Sequence, residues 1–186
     1  MDFLIDVDVR LLVFFNSKGN YLVDRLFTFI TGLTIPVIIA IILFFYSVKL
    51  KGLRKTLFLL VFYGSTLLIS EGLSLTSKNL IKRERPCNPA SPVYSQINAP
   101  AGCGSPYGFF SGHAINSMVM SIMTIHIFNL SCIPASLMIV WALVNGFSRI
   151  YLGVHYPLDV ITGWLLGIFI GLLASNIWLK KIEPQI

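Results

Sequence analysis

Charge is what this chain has least of. Asp, Glu, Lys and Arg make up 12% of its 186 residues, about half the share of an ordinary soluble domain. So sparse a charge cannot clothe a surface that faces only water, and a freely soluble globule is excluded. A cleavable leader pattern is missing too. The first nineteen residues carry Asp2, Asp6, Asp8 and Arg10, where a secretory signal places basic residues ahead of an unbroken apolar stretch. No repeat of solenoid period and no low-complexity tract divides the chain, which reads as one domain, 1–186. No His and carboxylate cluster has metal-ligand spacing, so the chemistry is expected to use no metal and no cofactor.

What the chain has in abundance is apolar sequence, 55% of the whole. Runs cover 26–48, 56–75, 118–130, 133–147 and 160–179. Several reach or approach the roughly 20 residues that a membrane-spanning helix needs. The run at 118–130 is short alone but extends back towards Tyr107. The N-terminal segment spans poorly, because each central charge costs about 2.5–3.5 kcal/mol. Its Leu4, Ile5, Val7, Leu11, Leu12, Phe14 and Phe15 suit a helix lying in the interface. The expected fold is therefore all-α: a polytopic membrane bundle of five transmembrane helices plus an N-terminal interfacial helix.

Three short polar clusters interrupt this apolar chain, and with five spans all three fall at one membrane face. The first is Lys78, six intervening residues, then Arg85-Pro86; the second is Ser111-Gly112-His113; the third is Ser148-Arg149, then His155 and Asp159. Phosphoryl transfer needs cations and donors for the equatorial oxygens, a nucleophile, and an acid for the leaving group. Arg offers a fork that suits phosphate oxygens, and Lys a point charge. Ser111-Gly112-His113 opens a helix, whose N-terminal N–H groups attract anions, and Gly112 admits an oxyanion close to the backbone. His155 and Asp159 lie four apart around Pro157, so one helical turn brings the carboxylate to the imidazole. The second ring nitrogen is then free to act as a nucleophile, by the logic of a hydrolase triad. Each cluster alone also has a plainer reading, as an N-cap, a capping pair or a snorkelling lysine.

Together the clusters resemble the signature of the type-2 phosphatidic acid phosphatase family, which is similar to vanadium haloperoxidases and bacterial non-specific acid phosphatases. The resemblance implies that His155 attacks phosphorus, Asp159 orients it, and His113 is the acid for the leaving oxygen. It implies a phosphate pocket of Lys78, Arg85, Ser111, Gly112 and Arg149. One departure is Phe110, where the family pattern usually has proline; a phenylalanine here has room to pack against lipid. The implied activity is hydrolysis of a lipid phosphate monoester or diphosphate through a phosphohistidine. The compact chain and its extra basic residues favour a lipid A 1-phosphatase type. Phosphatidate, phosphatidylglycerophosphate and undecaprenyl diphosphate are alternatives, as is transfer of the phosphoryl group to another lipid. The expected partners are the bilayer and a lipid phosphate, with no nucleic acid.

Other residues are less committed. Lys82 and Arg83 make the first cluster more basic than one phosphate requires, and read as supporting residues or as headgroup anchors. Glu71 lies inside the second span, where acids usually face a polar interior. With Ser74, Asn116 and Asn145 it suggests a polar cluster under the site. His126 lies thirteen residues beyond His113, about 20 Å along a helix, and is expected at the far face. The stretch 48–56, expected as a loop, holds Lys49, Lys51, Arg54 and Lys55 and weakly favours a cytoplasmic side opposite the site. Cys87 and Cys103 bracket the Pro-rich connection on the site's side. A disulfide between them requires an oxidising compartment; the alternative is two unpaired thiols in a cytoplasmic loop. The expected location is the inner membrane of a bacterium, with the site facing the periplasm. A rival of another class is an anion or lipid transporter, which requires polar residues at several depths rather than at one face.

Overall fold

A computed structural model describes residues 2–186. Six helices follow one another: α1 (Asp2–Asn16), α2 (Tyr21–Thr31), α3 (Thr34–Ile81), α4 (Gly112–Ile127), α5 (Cys132–Tyr151) and α6 (Pro157–Ile177). Among the described residues there is no strand, only an isolated antiparallel bridge between Glu84 and Tyr107. Three helical stretches are long and apolar enough to cross a membrane: Tyr21–Ile81, Cys132–Tyr151 and Pro157–Gln185. The first contains two apolar runs. Gly52, at φ 80° and ψ 162°, breaks α3 with a backbone that a side chain would oppose. The Ser47 and Thr56 hydroxyls are 2.8 Å apart, whereas nine residues of straight helix would span about 13 Å. The chain therefore folds back at Gly52. The basic stretch 48–56, expected as a loop, is almost wholly helical, with its turn confined to one residue.

The first apolar run also differs from expectation. Helix begins at Tyr21, where the Asn20 side chain accepts from the Val23 N–H at 3.1 Å. It stops at Gly32-Leu33 and restarts at Thr34. Pro36 lacks an N–H to join a continuous ladder and fits the first turn of a new helix. The resulting elbow opens onto the cavity described below.

α4 is the central helix. Ile115, Val119 and Met123 on it are wholly buried, and its hydroxyls are satisfied within the bundle, Ser121 donating to Met138 O at 2.8 Å. It starts at Gly112, so the helix does not extend back to Tyr107. Ser111 caps it, and the Ser111 N–H donates to Asp159 O at 3.0 Å. Phe110, expected against lipid, is buried in the core with Leu59, Ile115 and Trp178. α6 packs on α4 through Gly163, Gly167 and Gly171. A β-carbon there would stand 2.7–2.9 Å from α4 atoms, including Ser111 O and Ile115 O. Small residues at this spacing let the two backbones approach closely, which sets the start of α6 beside the start of α4.

α1 is more than an interfacial helix. Leu4, Ile5, Leu11 and Phe14 are exposed and apolar, as expected, but Leu12 is wholly buried against Val93, Ile150 and Tyr156. Asp8, Leu12 and Asn16 line one face at four-residue spacing, and all three are buried. Asn16 donates to Tyr151 O and Asn98 O, both at 2.7 Å, and accepts from the Asn98 N–H at 2.8 Å. The helix is thereby bolted to the loop and to the end of α5. At the opposite end of the bundle, Lys51 pairs with Glu183 at 2.5 Å and Trp178 donates to the same carboxylate at 3.1 Å.

Candidate active site

Six of the expected residues converge on one cavity of about 500 Å³: Lys78, Arg85, Gly112, His113, Arg149 and His155. Lys78 comes from the last turn of α3, Gly112 and His113 from the first turn of α4, and Arg149 from the last turn of α5. Arg85 and His155 come from loops. The chain from Arg149 to His155 is drawn tight because the N–H groups of Val154 and His155 both donate to Arg149 O, at 3.1 and 3.2 Å. The arginine and the histidine therefore face the same space. The Nε of Arg149 is buried and has no partner among the described residues, leaving a cationic donor for a ligand.

Arg85 is held by the connecting loop. Its Nη1 donates to Cys103 O at 2.7 Å, its Nε to Tyr107 O at 3.1 Å and its Nη2 to the Ser105 hydroxyl at 3.1 Å. Cys87 and Cys103 are joined by a disulfide, with Cα atoms 5.5 Å apart. One half of that bridge thus carries the carbonyl that anchors the guanidinium.

Behind the cavity lies an ion-pair ladder. His155 Nδ1 is 3.4 Å from Asp159 Oδ2, which also accepts from the Tyr156 N–H at 3.0 Å. With its proton on Nδ1 against this carboxylate, the imidazole presents a bare Nε2. Asp159 Oδ1 accepts from Arg83 Nη1 at 2.6 Å, and Arg83 Nη2 donates to Asp8 Oδ2 at 2.5 Å. Asp8 Oδ1 in turn accepts from the Leu158 N–H at 2.8 Å, in the first turn of α6. The Arg83 guanidinium lies 4.0 Å from the centre of the Tyr156 ring. Burial pushes the Asp8 carboxyl above the usual carboxylate range, while Arg83 and the Leu158 N–H pull it back. Burial also pushes the His155 imidazole down to about 4, against the upward pull of Asp159, so His155 is neutral near pH 7.

Arg83 therefore stands in the ladder, not among headgroups. Lys82 does not join the site: it is exposed, ends α3 at φ 51°, and its N–H donates to Lys78 O. Ser111 lies beside the cavity with its hydroxyl on the Ala114 N–H at 3.4 Å, which leaves the N–H groups of Gly112 and His113 as the open end of α4. The polar group beneath the site is only partly as expected. Asn116 donates to Glu71 Oε2 at 2.7 Å, and both line the cavity with Asn145. Ser74 turns away and donates to Phe110 O at 3.1 Å. His126 is exposed at the far end of α4.

Sequence reasoning missed Asp8, Gly108 and Trp141. Asp8 had a signal, a buried-face periodicity with Leu12 and Asn16. Gly108 brings the loop against the site: a β-carbon there would stand 3.1 Å from Arg85 Cγ, 3.3 Å from Asp159 Oδ2 and 3.4 Å from His155 Nδ1. Nothing in its local sequence announces that contact.

Known proteins share this arrangement of helices. The chain is 30% identical over 175 residues to a lipid A 4'-phosphatase of Bacteroides thetaiotaomicron, covering 93% of this chain and 77% of that protein. It is 35% identical over 134 residues to an undecaprenyl-diphosphatase of Sulfolobus acidocaldarius, covering 66% and 61% of the two chains. The crystal structure of a transmembrane PAP2-type phosphatidylglycerolphosphate phosphatase from Bacillus subtilis superposes with TM-score 0.72 at 22% identity, over 97% of this chain and 89% of that one. That of Aquifex aeolicus LpxE gives TM-score 0.71 at 21% identity, over 90% and 94%. Residues 59–183, which carry all three polar clusters, match the family model for the PAP2 superfamily, and the chain belongs to that superfamily.

Proposed function

We propose that this membrane phosphatase removes a phosphate monoester from a lipid A-type glycolipid through a phosphohistidine intermediate. The observation that carries the mechanism is His155, backed by Asp159, sharing one cavity with His113 and three cations. Lys78, Arg85, Arg149 and the open N-terminus of α4 hold the non-bridging oxygens. His155 Nε2 attacks phosphorus in line as the bond to the lipid oxygen breaks. His113 gives that oxygen its proton. Water then attacks the phosphohistidine, losing a proton to His113, and inorganic phosphate leaves. Three cations already offset the charge of the transferring group, so activity is expected to survive EDTA.

The 4' position is favoured over the 1 position expected from the sequence, because the relative of 30% identity is a 4'-phosphatase. Undecaprenyl diphosphate is the second reading, supported by the 35% identical relative. An anion path suits the cavity less well, since its cations, Lys78, Arg85 and Arg149, gather at the end holding the three clusters and, among the described residues, no Lys or Arg lines the deeper part. We further read five crossings, with α1 on the bilayer surface. The site then faces the periplasm of a bacterial inner membrane, where the Cys87–Cys103 bridge persists.

Purified protein given lipid A carrying a 1-phosphate, a 4'-phosphate or both, with undecaprenyl diphosphate in parallel, tests the reading. Phosphate release from the 4' position, with an acid-labile phosphoprotein trapped by rapid quench, is the expected result. Release from undecaprenyl diphosphate alone transfers the assignment to the second reading. Activity without any trapped phosphoprotein removes the covalent step.

A further inference from the structure

The cavity continues well below its cations, and its lower part has a chemistry that a phosphate does not need. Glu71 sits there on α3 with its carboxylate beside the first turn of α4. A β-carbon on Gly112 would stand 2.8 and 3.3 Å from its two oxygens. The oxyanion that lies closest to this glycine is thus a side chain of the protein itself. Asn116 fixes the carboxylate by donating to Oε2 at 2.7 Å, and the Ser70 hydroxyl donates in turn to Asn116 Oδ1. Among the described residues Oε1 receives no hydrogen bond, so Glu71 presents an acceptor at the cavity wall. Deeper, eight residues and about 12 Å before Arg149 along α5, Trp141 lines the same cavity with a buried Nε1–H that has no partner among the described residues. Down its axis the cavity therefore offers cations, then an acceptor, then a donor.

We infer that this lower region is a headgroup subsite that selects lipid phosphates whose phosphate-bearing sugar also carries O–H or N–H donors, as in an acylated amino sugar. The inference rests on the proposed phosphatase reading. A hydroxyl or amide N–H of the sugar donates to Glu71, and an acyl carbonyl accepts from Trp141. A diacylglycerol phosphate has ester carbonyls for Trp141 but no donor for Glu71. It would leave a buried acceptor unpaired, the kind of mismatch on which polar sites discriminate most strongly.

The test compares kcat/KM for two probes, an N,O-diacylated glucosamine monophosphate and dioleoyl phosphatidate, in wild type, Glu71→Gln and Trp141→Phe. The glutamine can still accept from Asn116, but it turns an NH2 donor towards the ligand. The wild type is expected to prefer the sugar lipid. Glu71→Gln should lower the sugar-to-phosphatidate ratio about tenfold, whereas Trp141→Phe should lower both values and leave the ratio within about twofold. Asn116→Ala, which frees the Glu71 carboxylate, should lower the ratio about threefold and serves if Glu71→Gln does not fold. A wild type that prefers phosphatidate, or variants that leave the ratio unchanged, overturns the subsite. A wild type that releases phosphate from neither probe, nor from undecaprenyl diphosphate, overturns the phosphatase reading itself.

Discussion

The two sides of His155 are built differently. In front, the cavity gathers Lys78, Arg85, Arg149 and His113, each at a helix end or in a loop and each free to meet a ligand. Behind, Asp159, Arg83 and Asp8 form a closed ladder whose carboxylates are buried. The front is set by spacings within short motifs. The back joins side chains 75 and 76 residues apart. On the proposed mechanism the front supplies charge for the substrate, and the back holds the geometry of one imidazole. Mutations on the two sides should therefore fail in different ways.

The largest effect expected is at the ring itself. His155→Ala should abolish turnover and the trapped phosphoprotein. Because His155 is almost fully buried, this substitution also leaves a void, and His155→Asn separates loss of chemistry from loss of packing. Near-normal phosphate release by either variant, measured on purified protein, would sink the mechanism.

Next comes the ladder. Asp8→Asn leaves Arg83 with one carboxylate in a pair whose Asp8 side chain is 1% exposed. It should cost on the order of 3 kcal/mol of stability and lower kcat more than it raises KM. Asp6 and Arg10 form a pair on the same helix at 2.9 Å, with side chains 51% and 78% exposed. Asp6→Asn should accordingly shift stability by less than about 1 kcal/mol. Thermal unfolding of both variants in detergent decides whether burial separates these two aspartates; equal shifts would contradict the ladder.

On the front, reducing the Cys87–Cys103 bridge releases the loop that carries the Arg85 anchor. The chain-entropy model gives about 3 kcal/mol for a loop of this size, most of it local to the loop. KM should rise roughly three- to tenfold with kcat nearly kept, since uniform binding is what is lost. A kcat that collapses with KM unchanged would assign the loop to the back of the site instead.

The smallest effect concerns pH. His155 is pushed down to about 4 in the folded protein and returns towards 6.5 on unfolding. Between these values the unfolded chain binds a proton that the folded chain refuses, so stability falls as pH falls through that window. Between pH 6.5 and 5.5 the loss is about 1 kcal/mol. The difference between wild type and His155→Asn, followed by thermal unfolding, should narrow by that amount. An unchanged difference would mean that the ring is not held neutral by burial.

What could be read in the sequence follows the same division. The three clusters and the all-helical membrane fold depend on spacings of a few residues, and these were legible. Asp8 was read only as a charge that kept its helix out of the bilayer, and Arg83 was as easily a headgroup anchor. Their pairing depends on where α1 docks, which no local period encodes. Gly112 shows the same limit from the other side. Its smallness was legible, but the carboxylate that lies against it comes from another helix. The turn at Gly52 was misjudged as a loop because basic residues suit a connection and a helix end equally well.

The ladder also bears on how the protein is made. Asp8 is synthesised long before Arg83, and Arg83 long before Asp159 and Leu158. The three segments meet only after α2 through α5 have been threaded and α6 has begun on the correct side. A chain inserted with one hairpin inverted carries these groups on opposite faces and never aligns the imidazole. On the proposed topology and mechanism, catalytic competence is a late product of biogenesis, and a half-inserted or misoriented chain is silent towards the lipids around it.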